Sequence, residues 1–247
     1  MPLQLYDHGS TTEFRDEFGV DGEFDHSFGG SLKQFGIRCE YEQPVHLIYR
    51  LDCRDPQLAF LKKIGDFVPL LYSFAFFEEF AYRVTSEDLV EVVHVPSDLV
   101  LPLWEAPSEF PMKPIALSAT DYDPKEAMEA LRLKDIFGWS QLSASEKEKA
   151  VSWAADYADL RLEDAPGGPD GWTLESLVKC CYRSPFVQGP PSNKCIIPNC
   201  NGASKVIATQ EFETPGELVW PEVCSDVQTI WLACEKCNCI MATNQCT

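Results

Sequence analysis

The chain has 247 residues, 45% of them apolar, and carries 39 acidic against 20 basic side chains for a net charge of −19. That apolar content can bury one large core or two small ones and excludes a disordered tail, while the charge repels phosphate backbones and anionic head groups and argues against nucleic acid as a direct ligand. No run reaches the roughly 18 apolar residues that a bilayer span needs, since the longest, Phe67 to Phe77, is interrupted by Pro69 and Ser73.

The first ten residues, MPLQLYDHGS, have neither the basic region nor the apolar stretch of a secretory signal, which predicts a cytoplasmic protein. In that reducing compartment the eleven cysteines read as thiols or metal ligands instead of disulfides. Residues 9–35 mix Gly, Asp, Glu and Phe, with Phe14, Phe18, Phe24 and Phe28 about a helical turn apart but broken by glycines, so irregular or hairpin structure is expected. From Pro44 the pattern turns to strands, VHLIYRLD, FVPLLYSFAFF and LVEVVHV, rich in β-branched and aromatic residues. Two helices are expected next. Asp123 and Pro124 open one that runs to about Phe137; Ser143 opens the other, with Glu146 completing a capping box and Ala150, Val151, Ala154, Ala155, Ala158 and Leu160 forming its apolar face. The segment EDAPGGPDG, 163–171, stops any helix and marks the best boundary, dividing an acidic β-rich region (1–163) from a second β-rich region (172–247) that also could pack as one domain with it. The predicted class is α+β: a mostly antiparallel sheet in two related halves joined by a helical segment.

The second region holds Cys195-x4-Cys200, a 33-residue interval, then Cys234-x2-Cys237. Two close pairs, each offering two thiolates from one turn, are how a tetrahedral zinc site is assembled, and the turn-forming Asn201, Gly202 and Asn238 follow the pairs as such a site requires. The expected cofactor is a structural Zn2+ on Cys195, Cys200, Cys234 and Cys237. Cys180, Cys181, Cys224, Cys239 and Cys246 lie near in sequence and leave the ligand set open. A closed four-thiolate site has no position for substrate, so it argues for a staple and not for catalysis.

Signatures of the common catalytic machineries are missing: no G-x-S-x-G, H-E-x-x-H, phosphate loop or dinucleotide fingerprint occurs. His46 and His94 lie within apolar strands and read as core or edge residues; His8 and His26 lie in acidic surroundings where they could pair with a carboxylate such as Asp25. A second metal site from Cys39, His46, Cys53 and a carboxylate can be drawn, but no close pair anchors it. Acidic neighbours are plentiful, and Glu78, Glu79, Glu87, Asp88 and Glu91, interleaved with Phe76, Phe77 and Phe80, form an acidic and aromatic edge fit to receive a basic partner.

The run SPFVQGPPSNKCIIPNCNG, followed by VIATQEF and VQTIWLACEKCNCI, resembles the zinc-containing branch of the YwqG-like family of bacterial proteins, at Gln188, Cys195, Cys200, Gln210, Cys234 and Cys237. The resemblance covers about 65 residues; FGGSLKQFGIRCEYEQPVHLIYRLD with LLYSFAFF reads as a diverged copy that lacks the cysteine pairs. It implies a β-rich scaffold with no catalytic residues to carry over. Some of that family lie near toxin systems, which is compatible with an immunity role.

Only −2 of the charge falls on residues 180–247, leaving −17 on residues 1–179. The expected function is therefore a noncatalytic, acidic interaction protein, most concretely an immunity protein that neutralises a basic toxin. The alternatives are an acidic chaperone or adaptor for a basic client such as a ribosomal protein, and a hydrolase-type enzyme built from scattered carboxylates and histidines. The oligomeric state is not encoded in any pattern found.

Overall fold

The computed structural model describes residues 3–6, 12–41, 45–74, 79–96, 109–121, 140–156, 191–210, 213–214, 217–218 and 227–246. The first part of the chain forms β1 (Leu3–Tyr6), β2 (Thr12–Phe18), β3 (Ser27–Gly30), β4 (Arg38–Cys39), β5 (His46–Asp52), β6 (Phe67–Tyr72), β7 (Phe80–Ser86), β8 (Leu89–His94) and β9 (Phe110–Asp121), with apolar runs underlying β5, β6 and β8. After the α-helix α1 (Ala144–Asp156) come β10 (Ser204–Gln210), the short pair β11 (Glu213–Thr214) and β12 (Glu217–Leu218), then β13 (Val227–Cys234) and β14 (Ile240–Cys246). Two 3-10 turns, Leu32–Phe35 and Pro56–Leu61, link β3 to β4 and β5 to β6.

Twelve strands form one sheet in the order β4-β8-β7-β14-β13-β10-β1-β2-β9-β3-β5-β6. The protein is mostly β-sheet, and antiparallel throughout the described strands except where β4 lies parallel to β8. β10, β13 and β14 sit between two groups of N-terminal strands, through β10 against β1 and β14 against β7. Among the described residues the N- and C-terminal regions thus share one sheet.

Every residue of β5 and of β13 is buried, as expected of strands covered on both faces. On one face Leu3, Phe14, Tyr49, Tyr72, Trp231 and Ala242 join the main core; on the other Tyr6, Val206, Ile230, Leu232 and Met241 form a second cluster, against which Ile196 and Ile197 pack. The sheet curls until its β6 edge meets β7, β13 and β14. There the indole Nε1 of Trp231 donates to the Leu71 carbonyl at 2.7 Å, Tyr82 Oη donates to the Pro69 carbonyl at 2.8 Å and accepts the Leu71 N–H at 3.0 Å, and Asn244 Nδ2 donates to Tyr72 Oη at 2.6 Å. Side chains thereby satisfy backbone groups that a further strand would otherwise pair, and Pro69 occupies the kind of edge strand that tolerates proline.

β9 pairs with β3 through its first residues and with β2 through its last. The crossing is tight: Gly29 has φ +66, and a Cβ there would lie 2.4 Å from the Pro111 carbonyl oxygen. The strands predicted from VHLIYRLD, FVPLLYSFAFF and LVEVVHV correspond to β5, β6 and β8, with β6 ending at Tyr72 and β8 at His94, and residues 75–77 of the second run lie outside the described residues. Residues 12–18, expected to be irregular or hairpin, form β2, whose Phe14 is buried in the main core and whose whole length pairs with β9. The expected capping box is in place: Ser143 Oγ accepts the Glu146 N–H at 3.3 Å and Glu146 Oε2 accepts the Ser143 N–H at 2.8 Å, with Ala150 buried. The helix expected over 124–137 and the boundary at 163–171 lie outside the described residues.

Candidate metal centre

Two turns converge at the ends of β10, β13 and β14. The first, residues 195–202, is folded by the Cys200 N–H donating to the Ile197 carbonyl at 3.0 Å and the Cys195 N–H donating to the Gly202 carbonyl at 3.0 Å. The second closes the β13–β14 hairpin: the Cys234 N–H donates to the Cys239 carbonyl at 2.9 Å and the Asn238 N–H to the Cys234 carbonyl at 3.0 Å. Asn199, Asn201 and Asn238 take the left-handed conformation at φ 64, 50 and 55, which asparagine tolerates better than most residues.

This geometry brings the thiols of Cys195, Cys200, Cys234 and Cys237 within 4.8 Å of one another. Cys195 Sγ lies 3.7 Å from Cys237 Sγ, and Cys200 Sγ lies 3.6 Å from Cys234 Sγ. A tetrahedron of thiolates about 2.3 Å from a central zinc places its sulfurs roughly 3.8 Å apart, whereas a disulfide needs about 2.05 Å. All four cysteines are free, and the spacing fits a metal in place of a bridge. Gly202 permits the approach: a Cβ there would lie 2.6 Å from Cys234 Sγ and 2.8 Å from Lys236 Cβ.

Backbone amides converge on the sulfurs. Ile197 N–H addresses Cys195, Gly202 N–H addresses Cys200, those of Lys236 and Cys237 address Cys234, and that of Cys239 addresses Cys237. Burial opposes ionisation at every one, and pushes the Cys195 thiol up. At Cys234 burial is outweighed by the amides of Cys237 and Lys236 together with the Cys237 and Cys200 thiols, which bring the thiol down to about 7. Four thiolates this close repel one another, so a full set of charges needs a cation among them. Lys236 Nζ donates to the Cys200 carbonyl at 2.7 Å, and Lys205 Nζ pairs with Glu235 at 2.5 Å, tightening the same corner.

Cys239, a rival ligand on sequence grounds, is fully buried outside the four-sulfur group and faces Arg83 of β7, whose guanidinium it holds protonated more firmly. Cys180, Cys181 and Cys224 lie outside the described residues, as does the side chain of Cys246. No known protein family, curated protein or solved structure matches the chain.

The acidic residues expected to meet a partner are spread differently. Glu78 lies outside the described residues, and Glu79 is half-buried before β7. Glu87 and Asp88 occupy the exposed β7–β8 turn and Glu91 is exposed on β8. Two of these have cationic neighbours within the chain: Asp88 pairs with Arg38 at 3.3 Å, and Glu91 lies opposite Arg83 in the β7–β8 register. The Ser86 hydroxyl at 2.7 Å, with Arg38, holds the Asp88 carboxyl below its usual range.

Cys39, His46 and Cys53 do not form the second metal group: among the described residues the four cysteines are the one such cluster. His46 begins β5 and Cys53 follows its end, and at about 3.3 Å per residue the strand holds them roughly 23 Å apart. The His46 ring instead stands edge-on to Phe74 and Phe110, at centroid distances of 5.0 and 6.1 Å.

The sequence reading missed a buried charged knot. His26 Nδ1 accepts the Asp52 N–H at 3.0 Å, which puts the ring proton on Nε2, 3.1 Å from Asp55 Oδ2. Burial lowers the His26 pKa, so the ring is a neutral donor. Both its nitrogens are committed, which leaves neither for proton transfer. Asp55 caps the turn Pro56–Leu61 by accepting the Gln57 N–H at 2.8 Å. Asp52 is fully buried, yet Arg54 grips it at 2.8 and 2.5 Å; with the backbone donors of Arg54 and Asp25 this overrides burial and lowers the carboxyl to about 2. Arg50 donates to Asp25 at 3.0 Å, its guanidinium between the rings of Phe67, at 3.7 Å, and Phe35, at 4.6 Å. One further buried acid stands apart: burial raises Asp16 on β2 to about 7, against the partial relief of the Asp16 and Leu3 backbone amides and the Tyr49 hydroxyl at 3.5 Å.

Proposed function

We propose that the protein is a noncatalytic binding protein of the cytoplasm, a zinc-stapled acidic scaffold that captures a basic protein, most concretely as an immunity protein that neutralises a basic toxin. The observation that carries the reading is the charge: −17 of the net −19 falls on residues 1–179, outside the segment that supplies the four cysteines. A field of that sign accelerates encounter with a basic surface and repels acidic ones. Exposed carboxylates at Glu87 and Glu91 would stand where a nuclease-like partner expects phosphates.

Zinc is the metal the donor set favours. Four thiolates in a closed tetrahedron suit a borderline-soft ion without geometric preference, and a reducing compartment keeps them available. In this reading the ion ties the 195–202 turn to the β13–β14 hairpin. The fold as two related halves is proposed from the repeated order of glycine turn, cysteine and strands in FGGSLKQFGIRCEYEQPVHLIYRLD, and the likeness to the YwqG-like family remains part of the same proposal.

The test is capture on the tagged protein from its own cells at low and high salt, with mass spectrometry of the eluate. A stoichiometric basic protein shed as salt rises supports the reading, and its identity separates toxin from chaperone client. Retention of no basic protein overturns it.

A further inference from the structure

The four cysteines of the corner differ in their access to solvent. Cys195 and Cys237 are half-buried, whereas Cys200 is only 8% exposed and Cys234 is fully buried. The close sulfur contacts run across the two turns, Cys195 Sγ to Cys237 Sγ at 3.7 Å and Cys200 Sγ to Cys234 Sγ at 3.6 Å. Each contact joins the 195–202 turn to the β13–β14 hairpin, so a disulfide at either place would tie the same two segments that a metal ion among the sulfurs would tie. A bridge within one turn, Cys195 to Cys200 or Cys234 to Cys237, would tie neither. Closing the gap of 3.7 Å to bonding distance takes about 1.7 Å, a displacement that side-chain rotation supplies. Cys239 is fully buried, stands outside the four-sulfur group and faces Arg83, so it does not compete.

We propose that the corner is a peroxide-sensitive switch, in which Cys195 and Cys237 are oxidised to a disulfide first, Cys200 and Cys234 second, and the metal staple is exchanged for a covalent one. The inference rests on the metal reading of the corner given above. One of the two half-buried thiolates attacks a peroxide oxygen; the O–O bond breaks and a sulfenic acid and a hydroxide form. The thiolate across the turn then attacks the sulfenic sulfur and displaces a second hydroxide. Two electrons pass from the sulfur pair to the peroxide, and the metal loses two of its ligands. Two thiolates no longer make a closed site, and the remaining pair reacts with a second peroxide by the same steps.

The test is a hydrogen peroxide titration of the full chain purified with its metal. Released zinc is read with a chromogenic chelator, free thiols are blocked with iodoacetamide, and the unreduced tryptic peptides are mapped by mass spectrometry. Cleavage after Lys236 separates Cys234 from Cys237, so fragmentation of the linked peptides tells the pairings apart. The expected result is loss of about one zinc ion per chain, a Cys195–Cys237 bridge ahead of a Cys200–Cys234 bridge, and an unfolding temperature that no longer falls when chelator is added. Dithiothreitol with zinc is expected to restore the starting state, and Cys239→Ser to leave the order of bridges unchanged. A bridge within one turn, a bridge to Cys239, or zinc lost with no bridge formed overturns the proposal, as does zinc retained at peroxide excess. Only trace metal before any peroxide is added overturns the metal reading, and the switch with it, at a step that precedes oxidation.

Discussion

Two polar knots hold loops to strands in this protein, and they do so by opposite means. The cysteine corner gathers four thiols that repel one another once ionised, an arrangement compatible with a metal ion among them. The knot around His26 is self-sufficient: each buried charge meets an opposite charge or an amide, and the ring stays neutral. A metal-dependent element should respond to chelation and leave the rest of the pH profile alone. A self-satisfied one should respond to pH and to the loss of a single side chain, and be indifferent to metal.

The largest expected effect is at the cysteines. Removing the metal with a thiol-reactive mercurial or a strong chelator, or replacing Cys234 by Ser, is expected to lower stability by more than about 5 kcal/mol, since metal binding in such sites is itself folding free energy. Thermal unfolding with and without chelator measures this, and a wild-type transition unmoved by chelation would break the comparison.

Next comes Asp16. Its carboxyl rises from 3.8 to about 7 on folding, so the native state favours the protonated form. The stability this confers is complete below pH 3.8 and is lost as pH rises through about 7, a change of at most about 4 kcal/mol. Asp16→Asn is expected to flatten that limb in denaturant titrations run across the window; an unchanged slope would contradict the buried position. His26 runs the other way. Its lowered pKa makes its contribution complete above its ordinary value of 6.5 and lost as pH falls.

His26→Ala leaves Asp55 and the Asp52 amide without their buried partner and is expected to cost about 2–3 kcal/mol, while metal content stays at the wild-type ratio. Loss of metal in that variant would show that the two knots are coupled. Gly202→Ala is expected to do the reverse at smaller scale, costing about 1–2 kcal/mol and weakening metal retention, because its Cβ would crowd Cys234 Sγ. The smallest effect is at the surface: Arg38→Ala removes an exposed pair and should change stability by no more than about 0.5 kcal/mol.

The two knots also differ in how far sequence reveals them. The cysteine corner is legible because each ligand pair is local: the spacing of Cys195 from Cys200 and of Cys234 from Cys237 fixes the turn, and Asn201, Gly202 and Asn238 supply its backbone. The knot around His26 is built from residues 26 to 29 positions apart, joined only once β3 lies beside β5. Nothing near His26 distinguishes it from an exposed histidine in an acidic stretch; the one local trace is Asp55-Pro56, a cap before a turn. Strands such as β5 and β8 were readable from their residue types, whereas β2 (TEFRDEF) reads as polar and depends on pairing with both β1 and β9. Cys239 shows the limit at the corner itself: its spacing suits a ligand, and only the hairpin's register turns it towards Arg83.

The most direct test of the account is X-ray absorption at the zinc edge on the protein purified without added metal. Four sulfur scatterers at about 2.3 Å, with no nitrogen or oxygen in the shell and one ion per chain, are the predicted result. A protein that folds with no more than trace metal, or a shell containing nitrogen or oxygen, would contradict it.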